Sequence, residues 1–202
     1  MVHFPFYLIN HVFPQDAACD FYGMDDSVRQ AIFDVYKIKD LHPWQASMLK
    51  KHISDEGGKK NALIHAPTSG GKTLVAVILL LRAMLVEKKD GIFVLPYVAI
   101  VTEKVHELKQ LANKLPVFTV AEYAASKGFF PIPKQKPSLR TLYVCTPEKA
   151  TGVWKFLCSE GSRRDEIGLV GVDECHMISD GSRGGVIEER ALSACCIGPG
   201  LP

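Results

Sequence analysis

The sequence predicts an α/β fold in which a mostly parallel sheet is covered by helices on both faces. The first observation behind this prediction is alternation, because short β-branched runs and longer apolar segments follow one another from residue 62 onward. The second is that the short runs are apolar throughout, as expected for strands buried on both sides. The third is size, since 202 residues, 47% of them hydrophobic, suffice for one domain with a sizeable core.

The elements follow the chain in order. A lead-in helix begins near residue 25, where Val28, Ile32 and Tyr36 repeat at three- and four-residue spacing. A second helix begins at Pro43, a residue suited to a first helical turn, and runs to about residue 52. The predicted strands are 62–65, 92–95, 117–121, 142–145 and 168–172, and the predicted helices among them are 72–86, 97–115 and 147–158.

The overall charge gives little indication of a partner, since the net charge is only +2. Its distribution is more informative, because residues 126–140 contain four basic side chains and no acidic one. Within this segment, 128–137 contains three prolines and is predicted to be an irregular loop. The segment is either an electrostatic contact for a nucleic acid or a solvated surface loop.

Cysteine usage and hydropathy indicate the compartment. The six cysteines form no C-x-x-C pair, which predicts reduced thiols in a cytosolic or nuclear protein. The most apolar helical stretch, residues 74–81, is bounded by Arg82 and Glu87 and is much shorter than a membrane span. We therefore expect no membrane partner.

A glycine-rich turn lies between the first predicted strand of the sheet and the helix that follows it. Backbone N–H groups in such a turn bind phosphate oxygens, and the helix N-terminus adds a partial positive charge. The lysine of a G-K-T sequence reaches the β- and γ-phosphates of ATP, and the threonine hydroxyl binds Mg²⁺. The residues of this predicted ATP site are Ala66, Pro67, Thr68, Ser69, Gly70, Gly71, Lys72 and Thr73. The strict pattern has Gly at the position of Ala66, so the match is imperfect.

Two adjacent carboxylates end the last predicted strand. Asp173 and Glu174 follow an apolar run at the end of the strand where ligands bind in parallel α/β sheets. We expect Asp173 to hold Mg²⁺ through its water shell and Glu174 to orient and deprotonate the attacking water. A strand end with solvated acids is the alternative. A metabolic P-loop kinase fits poorly, since it accounts neither for His176 beside this pair nor for Gln45, whose amide can pair with adenine.

Several longer stretches resemble one helicase family. They are D-E-C-H at 173–176, L-P-Y-V-A-I-V-T-E-K at 95–104, E-Y-A at 122–124, S-K-G at 126–128, L-Y-V-C-T at 142–146, E-K at 148–149, G-S-R-G at 181–184 and F-Y-G at 21–23. Together these stretches are similar to the first domain of Ski2-like helicases of superfamily 2. The resemblance is to the branch of HELQ and the helicase region of DNA polymerase theta.

The resemblance implies a RecA-like P-loop NTPase domain over residues 25–188. An irregular segment, 1–24, would precede it, and a divergent tail, 189–202, would follow. The family's activity implies an ATP-dependent 3′-to-5′ DNA helicase for repair and replication-fork processing. Its cofactors would be ATP and Mg²⁺, its partner single-stranded or forked DNA, and its location the nucleus.

The resemblance also assigns roles to residues. Catalytic roles fall to Lys72, Asp173 and Glu174, adenine contact to Gln45, and coupling of hydrolysis to movement to His176. Residues that would track the single-strand backbone are Pro96, Tyr97, Lys104, Thr146, Glu148 and Lys149.

The family pattern stops near residue 188. We therefore expect this chain to lack the second RecA-like domain and its arginine, to turn over ATP very slowly, and not to unwind DNA. The alternative is a truncated, non-enzymatic form that binds nucleotide or DNA and regulates, or is inactive. The strand that carries the family's S-A-T motif is also missing, which would leave an edge or gap beside the Asp173 strand that the tail either covers or leaves open.

Overall fold

The structure is a computed structural model that describes residues 5–9, 21–54, 62–66, 71–133, 138–159 and 163–174. The strands within these ranges are β1 (Pro5–Ile9), β2 (Ala62–His65), β3 (Asp90–Val94), β4 (Phe118–Tyr123), β5 (Arg140–Cys145) and β6 (Ile167–Val172). The helices are α1 (Asp26–Tyr36), α2 (Pro43–Ser54), α3 (Lys72–Leu85), α4 (Val98–Lys114) and α5 (Pro147–Ser159), and a 3₁₀ turn covers Arg163–Glu166.

The strands form one sheet in the order β2-β1-β6-β3-β5-β4. The four strands β6, β3, β5 and β4 pair in parallel with their neighbours. Strand β1 runs antiparallel to both β2 and β6, so β2 points the same way as the other four. The predicted mostly parallel sheet is confirmed.

Helices cover both faces of this sheet, as predicted. In β3, Phe93 packs on the face covered by α3 and α4, whereas Ile92 and Val94 pack on the face covered by α5. Strand β5 alternates in the same way, with Val144 towards α3 and Cys145 towards α5. Because both faces are buried, the strands continue as apolar runs, and their polar residues Asp90, Arg140 and Thr141 lie at the strand starts.

Helix α3 is the central helix of the core. Its side chains from Val75 to Leu81 are all 0% exposed. Residues on α1, α2 and α4 belong to the same apolar cluster. A helix that is apolar all round is expected where other helices and a sheet surround it. Within the described part of the chain, no helix has the length and apolarity needed to cross a membrane.

The N-terminal region differs from the prediction. No strand is predicted before residue 62, whereas residues 5–9 form β1 between β2 and β6. Its five residues, PFYLI, are too few to show a period, although aromatic and branched side chains suit a strand. Strand β1 lies beside β6, where the gap was expected. The tail, 189–202, lies outside the described residues.

The other element bounds differ from the prediction by one or two residues. Strand β5 begins at Arg140 because Arg140 pairs with Phe118 at the start of β4. The same ladder continues to Tyr123, two residues beyond the predicted end of β4. Cross-strand pairing therefore fixes these ends, and local sequence does not.

Candidate functional site

The candidate site lies along the edge of the sheet where β2, β6, β3 and β5 end. These four strands point the same way, so the segments after His65, Val172, Val94 and Cys145 all begin at this edge. In open α/β sheets, ligands bind at the carboxyl ends of the strands. The residues predicted for nucleotide and nucleic-acid contact lie on these segments, apart from Gln45 on α2 and Lys104 on α4.

Lys72 bridges the two ends of the predicted phosphate loop. Its ammonium Nζ donates a hydrogen bond of 2.8 Å to the carbonyl of Ala66, the residue that follows β2. The side chain is buried, although a lysine is almost never fully buried unless paired. Its ammonium group thus lies against Ala66, at the start of the predicted phosphate loop. Residues 67–70, also predicted to bind phosphate, lie outside the described part of the chain.

Gln45 contacts the same turn from α2. Its Nε2 donates a hydrogen bond of 2.9 Å to the carbonyl of Gly71, and its Oε1 accepts one of 2.8 Å from the N–H of His42. Only 2% of Gln45 is exposed. The amide therefore holds the phosphate turn against the start of α2, a contact that the sequence analysis did not predict.

Gly71 has a backbone conformation that this contact requires. Its φ is +74°, in the left-handed region where a Cβ is disfavoured. A Cβ at this position would lie 2.7 Å from Nε2 of Gln45. Glycine is therefore needed here both for the turn and for the close approach of Gln45.

Thr73 and Asp173 are in direct contact. The Thr73 hydroxyl donates a hydrogen bond of 2.7 Å to Oδ2 of Asp173, and the N–H of Glu174 donates one of 2.9 Å to Oδ1. The Asp173 backbone N–H is bound to the carbonyl of Val94 on β3, which fixes the carboxylate against the sheet. The structure thus brings together the two residues that were predicted to share Mg²⁺.

The chemistry of this pair fits Mg²⁺. A hydroxyl and a carboxylate oxygen are the hard ligands that this ion prefers, and Mg²⁺ in nucleotide sites keeps several waters beside one or two protein oxygens. Across the described ranges, no group of three or more His, Cys, Asp or Glu side chains is arranged to hold a metal.

Glu174 follows immediately and has a positive φ of 54°. Such a value is uncommon for a residue other than glycine. The backbone therefore leaves the extended conformation directly after Asp173. His176, predicted to couple hydrolysis to movement, lies outside the described residues.

Five of the residues predicted to track nucleic acid lie at the same edge. Tyr97 is 43% exposed just before α4, with Pro96 beside it. Thr146 is buried, and its N–H donates to the carbonyl of Tyr123 at the end of β4. Glu148 is exposed and Lys149 is half-buried in the first turn of α5. The N-termini of α4 and α5 thus point to the edge, where their amides can bind phosphates.

Lys104 has a different environment. Its Nζ lies 2.6 Å from Oε2 of Glu107 and 5.5 Å from the ring centre of Tyr36 on α1, and its side chain is 13% exposed. Burial of Tyr36, with Glu107 nearby, raises the pKa of the Tyr36 hydroxyl. Lys104 therefore contributes to the α1–α4 contact, and its predicted DNA contact would have to compete with this ion pair.

Both unpredicted contacts join residues that are distant in the chain. Gln45 and Gly71 are 26 residues apart. Tyr36 and Lys104 meet only because α1 packs on α4. Local patterns predicted the residue types but not their partners. A signal for the first was available in the G-G-K sequence, since a glycine directly before the lysine indicates a tight approach.

A family model and individual relatives of known name match this chain over most of its length. The family model described as DEAD/DEAH box helicase matches residues 42–196. The human protein "Helicase POLQ-like" is 44% identical over 168 residues, which cover 83% of this chain and 15% of that protein. Mouse "DNA polymerase theta" is 35% identical over 162 residues, covering 80% of this chain and 6% of that protein.

An archaeal relative extends the similarity. The "ATP-dependent DNA helicase Hel308" of Methanocaldococcus jannaschii is 28% identical over 171 residues, covering 81% of this chain and 13% of that protein. The chain thus spans less than a fifth of the length of each of these curated relatives.

Proposed function

Because the chain belongs to the DEAD/DEAH box helicase family, we propose that it is the ATP-binding lobe of an ATP-dependent 3′-to-5′ DNA helicase. The proposal includes binding of ATP with Mg²⁺ and of single-stranded or forked DNA. It also includes a nuclear role in repair and replication-fork processing. Two relatives support the DNA substrate by name, one being a DNA polymerase and the other a DNA helicase.

The observation that carries this proposal is the bond between Thr73 and Asp173. It joins the residue after the phosphate-turn lysine to the first carboxylate of the D-E-C-H sequence, across 100 residues of chain. A structural turn would not need a buried carboxylate directed at the first turn of α3. Phosphoryl-transfer sites need this arrangement, because the metal is held between a hydroxyl at the phosphate loop and an acid at a neighbouring strand end.

The residues divide the chemistry of ATP hydrolysis among them. On nucleotide binding, Lys72 would exchange the Ala66 carbonyl for β- and γ-phosphate oxygens and keep its positive charge beside them. Thr73 and Asp173 would hold Mg²⁺, which when bound neutralises phosphate charge. Glu174 would accept a proton from the attacking water. Gln45 would contact adenine. Its Nε2 also donates a hydrogen bond to the carbonyl of Gly71, which links it to the phosphate turn.

Nucleic acid would lie along the same edge, next to the nucleotide. Tyr97, Thr146 and Lys149 lie on segments that begin where β3 and β5 end. Helix amides and hydroxyl groups there grip phosphates without reading the bases. Since β3 lies next to β6, and β5 next to β3, one or two strands separate Asp173 from the segments that would contact DNA.

The proposed complete motor has a second RecA-like lobe. In P-loop enzymes an arginine from a partner surface stabilises transition-state charge and contributes roughly 10³–10⁵ in rate. We therefore expect the chain alone to bind ATP weakly, to hydrolyse it very slowly and not to separate strands. A non-enzymatic regulatory form that binds nucleotide or DNA is the alternative.

ATP titration of the 202-residue chain tests the proposal. We expect Mg²⁺-dependent binding that Lys72→Ala abolishes, because the phosphates lose their cationic contact. Lys155→Ala, an exposed lysine on α5, should bind like wild type. A wild-type chain that binds no ATP, or a Lys72→Ala chain that binds it equally well, would exclude the nucleotide site.

A further inference from the structure

Phe129 is an exposed aromatic side chain on the segment that follows β4. It is 81% exposed, and the next most exposed large apolar side chain of the described residues, Leu63, is 53% exposed. A ring with this exposure has a face available for stacking on another aromatic group. Neither the predicted ATP site nor the predicted backbone contacts use it.

The segment that carries Phe129 is held by its own packing. The N–H of Lys127 donates to the carbonyl of Ala124, which closes a turn directly after β4. Gly128 follows with a φ of +83°, and the Tyr123 ring occupies the space that a Cβ there would need. Phe130, the residue after Phe129, packs against Tyr123, with ring centres 5.7 Å apart, and against Phe156, with ring centres 5.9 Å apart.

Phe130 is thus partly packed, at 44% exposed, whereas Phe129 is 81% exposed. Ile132, three residues later, is only 5% exposed, and its carbonyl accepts a bond from buried Arg163. Both sides of Phe129 are thus fixed to the core. The backbone that carries the ring is therefore anchored before any ligand arrives, which lowers the entropy cost of a contact.

This segment lies at the edge of the sheet that carries the predicted phosphate contacts. It starts at the carboxyl end of β4, and the Tyr123 carbonyl there accepts the N–H of Thr146. Phe130 also lies against Gly152 of α5. Gly152 is five residues after Pro147, or about 7.5 Å along the helix axis. Phe129 therefore lies near the helix end that is predicted to bind phosphates.

One described basic side chain, Lys127, lies two residues before Phe129. Residues 126–140 contain four basic residues and no acidic one, but Lys134 and Lys136 lie outside the described residues and Arg140 lies at the opposite end of β4, where its N–H donates to the carbonyl of Val117. Glu122, which lies at the end of β4, is bound through both of its oxygens by Lys127 at 2.8 Å. Basic residues interleaved with aromatic ones are typical of surfaces that bind single strands, where phosphates meet the charges and bases stack on the rings.

We propose that Phe129 stacks against a base of the single strand bound along this edge. The inference deepens the proposed function and rests on it. Stacking on an aromatic side chain is independent of sequence, because every base has a π-face. Stacking would let this lobe contact the bases of the single strand in addition to its phosphate backbone.

The test compares two ligands and four forms of the 202-residue chain. The ligands are an oligodeoxythymidine and an abasic oligonucleotide of equal length, titrated at one salt concentration. The forms are wild type, Phe129→Ala, Phe129→Leu and Val117→Ala. Val117 is a matched control, because it is 44% exposed and lies at the opposite end of β4. Thermal unfolding confirms that each variant is folded.

We expect Phe129→Ala to lower affinity for the thymidine ligand at least about fivefold and to leave affinity for the abasic ligand unchanged. Phe129→Leu should resemble Phe129→Ala, since it keeps an apolar side chain but loses the ring face. Val117→Ala should match wild type.

Two results would overturn stacking while leaving the proposed function intact. One is wild-type affinity of Phe129→Ala for the thymidine ligand, which would assign the ring to another partner such as a protein. The other is full retention of affinity by Phe129→Leu, which would indicate a simple apolar contact. Failure of the wild-type chain to bind either ligand would reject stacking together with the proposed DNA binding.

Discussion

The side-chain amide of Gln45 donates a hydrogen bond of 2.9 Å to the carbonyl of Gly71, the residue directly before the phosphate-turn lysine. This bond joins the lead-in helices to the nucleotide site without a ligand between them. The residue predicted to contact adenine therefore also holds the turn predicted to contact phosphate. Occupancy of either end of the nucleotide can thus affect the other through one side chain.

The first prediction concerns Gly71→Ala. We expect a loss of about 1–2 kcal/mol in the free energy of unfolding, because alanine is strained at a φ of +74°. We also expect weaker ATP binding, because the new Cβ would displace Nε2 of Gln45. Urea unfolding and ATP titration measure the two effects.

Gln45→Ala provides the control for this prediction. If both residues act through one contact, the double variant should lose less ATP affinity than the sum of the single losses. Strictly additive losses in binding free energy would mean that Gln45 and Gly71 act independently. An unchanged affinity in Gly71→Ala would show that the bond does not position the turn.

The second prediction concerns the ion pair of Lys104 and Glu107. Lys104→Met keeps most of the side-chain stem but removes the charge, so that Glu107 loses its partner at 2.6 Å. We expect the free energy of unfolding to fall by about 1–2 kcal/mol, as when a hydrogen bond to a charged group is broken. Urea unfolding measures this change.

Lys109→Met is the matched control, since Lys109 is an exposed lysine on the same helix. It should unfold like wild type. A parallel DNA titration separates the structural role of Lys104 from the predicted one. Loss of DNA affinity with no loss of stability would contradict the structural role and favour a direct contact with the single strand.

The sequence predicted the sheet and its helices because both are local in origin. The β-branched runs and the three- and four-residue spacing are visible in short windows. The predicted ATP residues also come from short stretches, G-K-T and D-E-C-H. The contact between Thr73 and Asp173 could be expected only from the rule that parallel strands end at one edge.

The contacts that were not predicted depend on packing between residues that are far apart in the chain. Lys104 was expected to contact DNA, but its partner Tyr36 comes from a helix 68 positions earlier in the chain. Phe129 was part of a segment with two open interpretations, and its 81% exposure depends on how that segment packs after β4. Strand β1 has too few residues to give a period, and its pairing with β2 and β6 is not local.

The third prediction concerns pH. Burial raises the pKa of Glu87 to about 7, against the opposing charges of Arg82 and Lys89. At pH values between the usual value of 4.5 and this one, the folded protein holds a proton that the unfolded chain has released. The stability contributed by this proton is therefore complete below the lower value and is lost as the pH rises through the upper one.

Glu87→Gln should remove this part of the pH dependence. We expect the melting temperature of wild type to fall more than that of the variant between about pH 5 and about pH 8. Glu103→Gln, an exposed glutamate on α4, should keep the wild-type profile. Parallel profiles for wild type and Glu87→Gln would show that this carboxyl group does not titrate abnormally.

The final prediction concerns β1, which lies between the strand that leads to the phosphate turn and the strand that leads to Asp173. Leu8 lies opposite Ala62 of β2 and Gly171 of β6, so a proline at this position removes a backbone donor between the two. We expect Leu8→Pro to increase amide exchange in both β2 and β6 and to weaken ATP binding. Leu8→Ala keeps the N–H and separates backbone from side-chain effects. If Leu8→Pro leaves exchange in both strands unchanged, β1 does not hold the two halves of the nucleotide site together. If it affects both strands together, the distance between Lys72 and Asp173 depends on a strand that contributes no residue to the site.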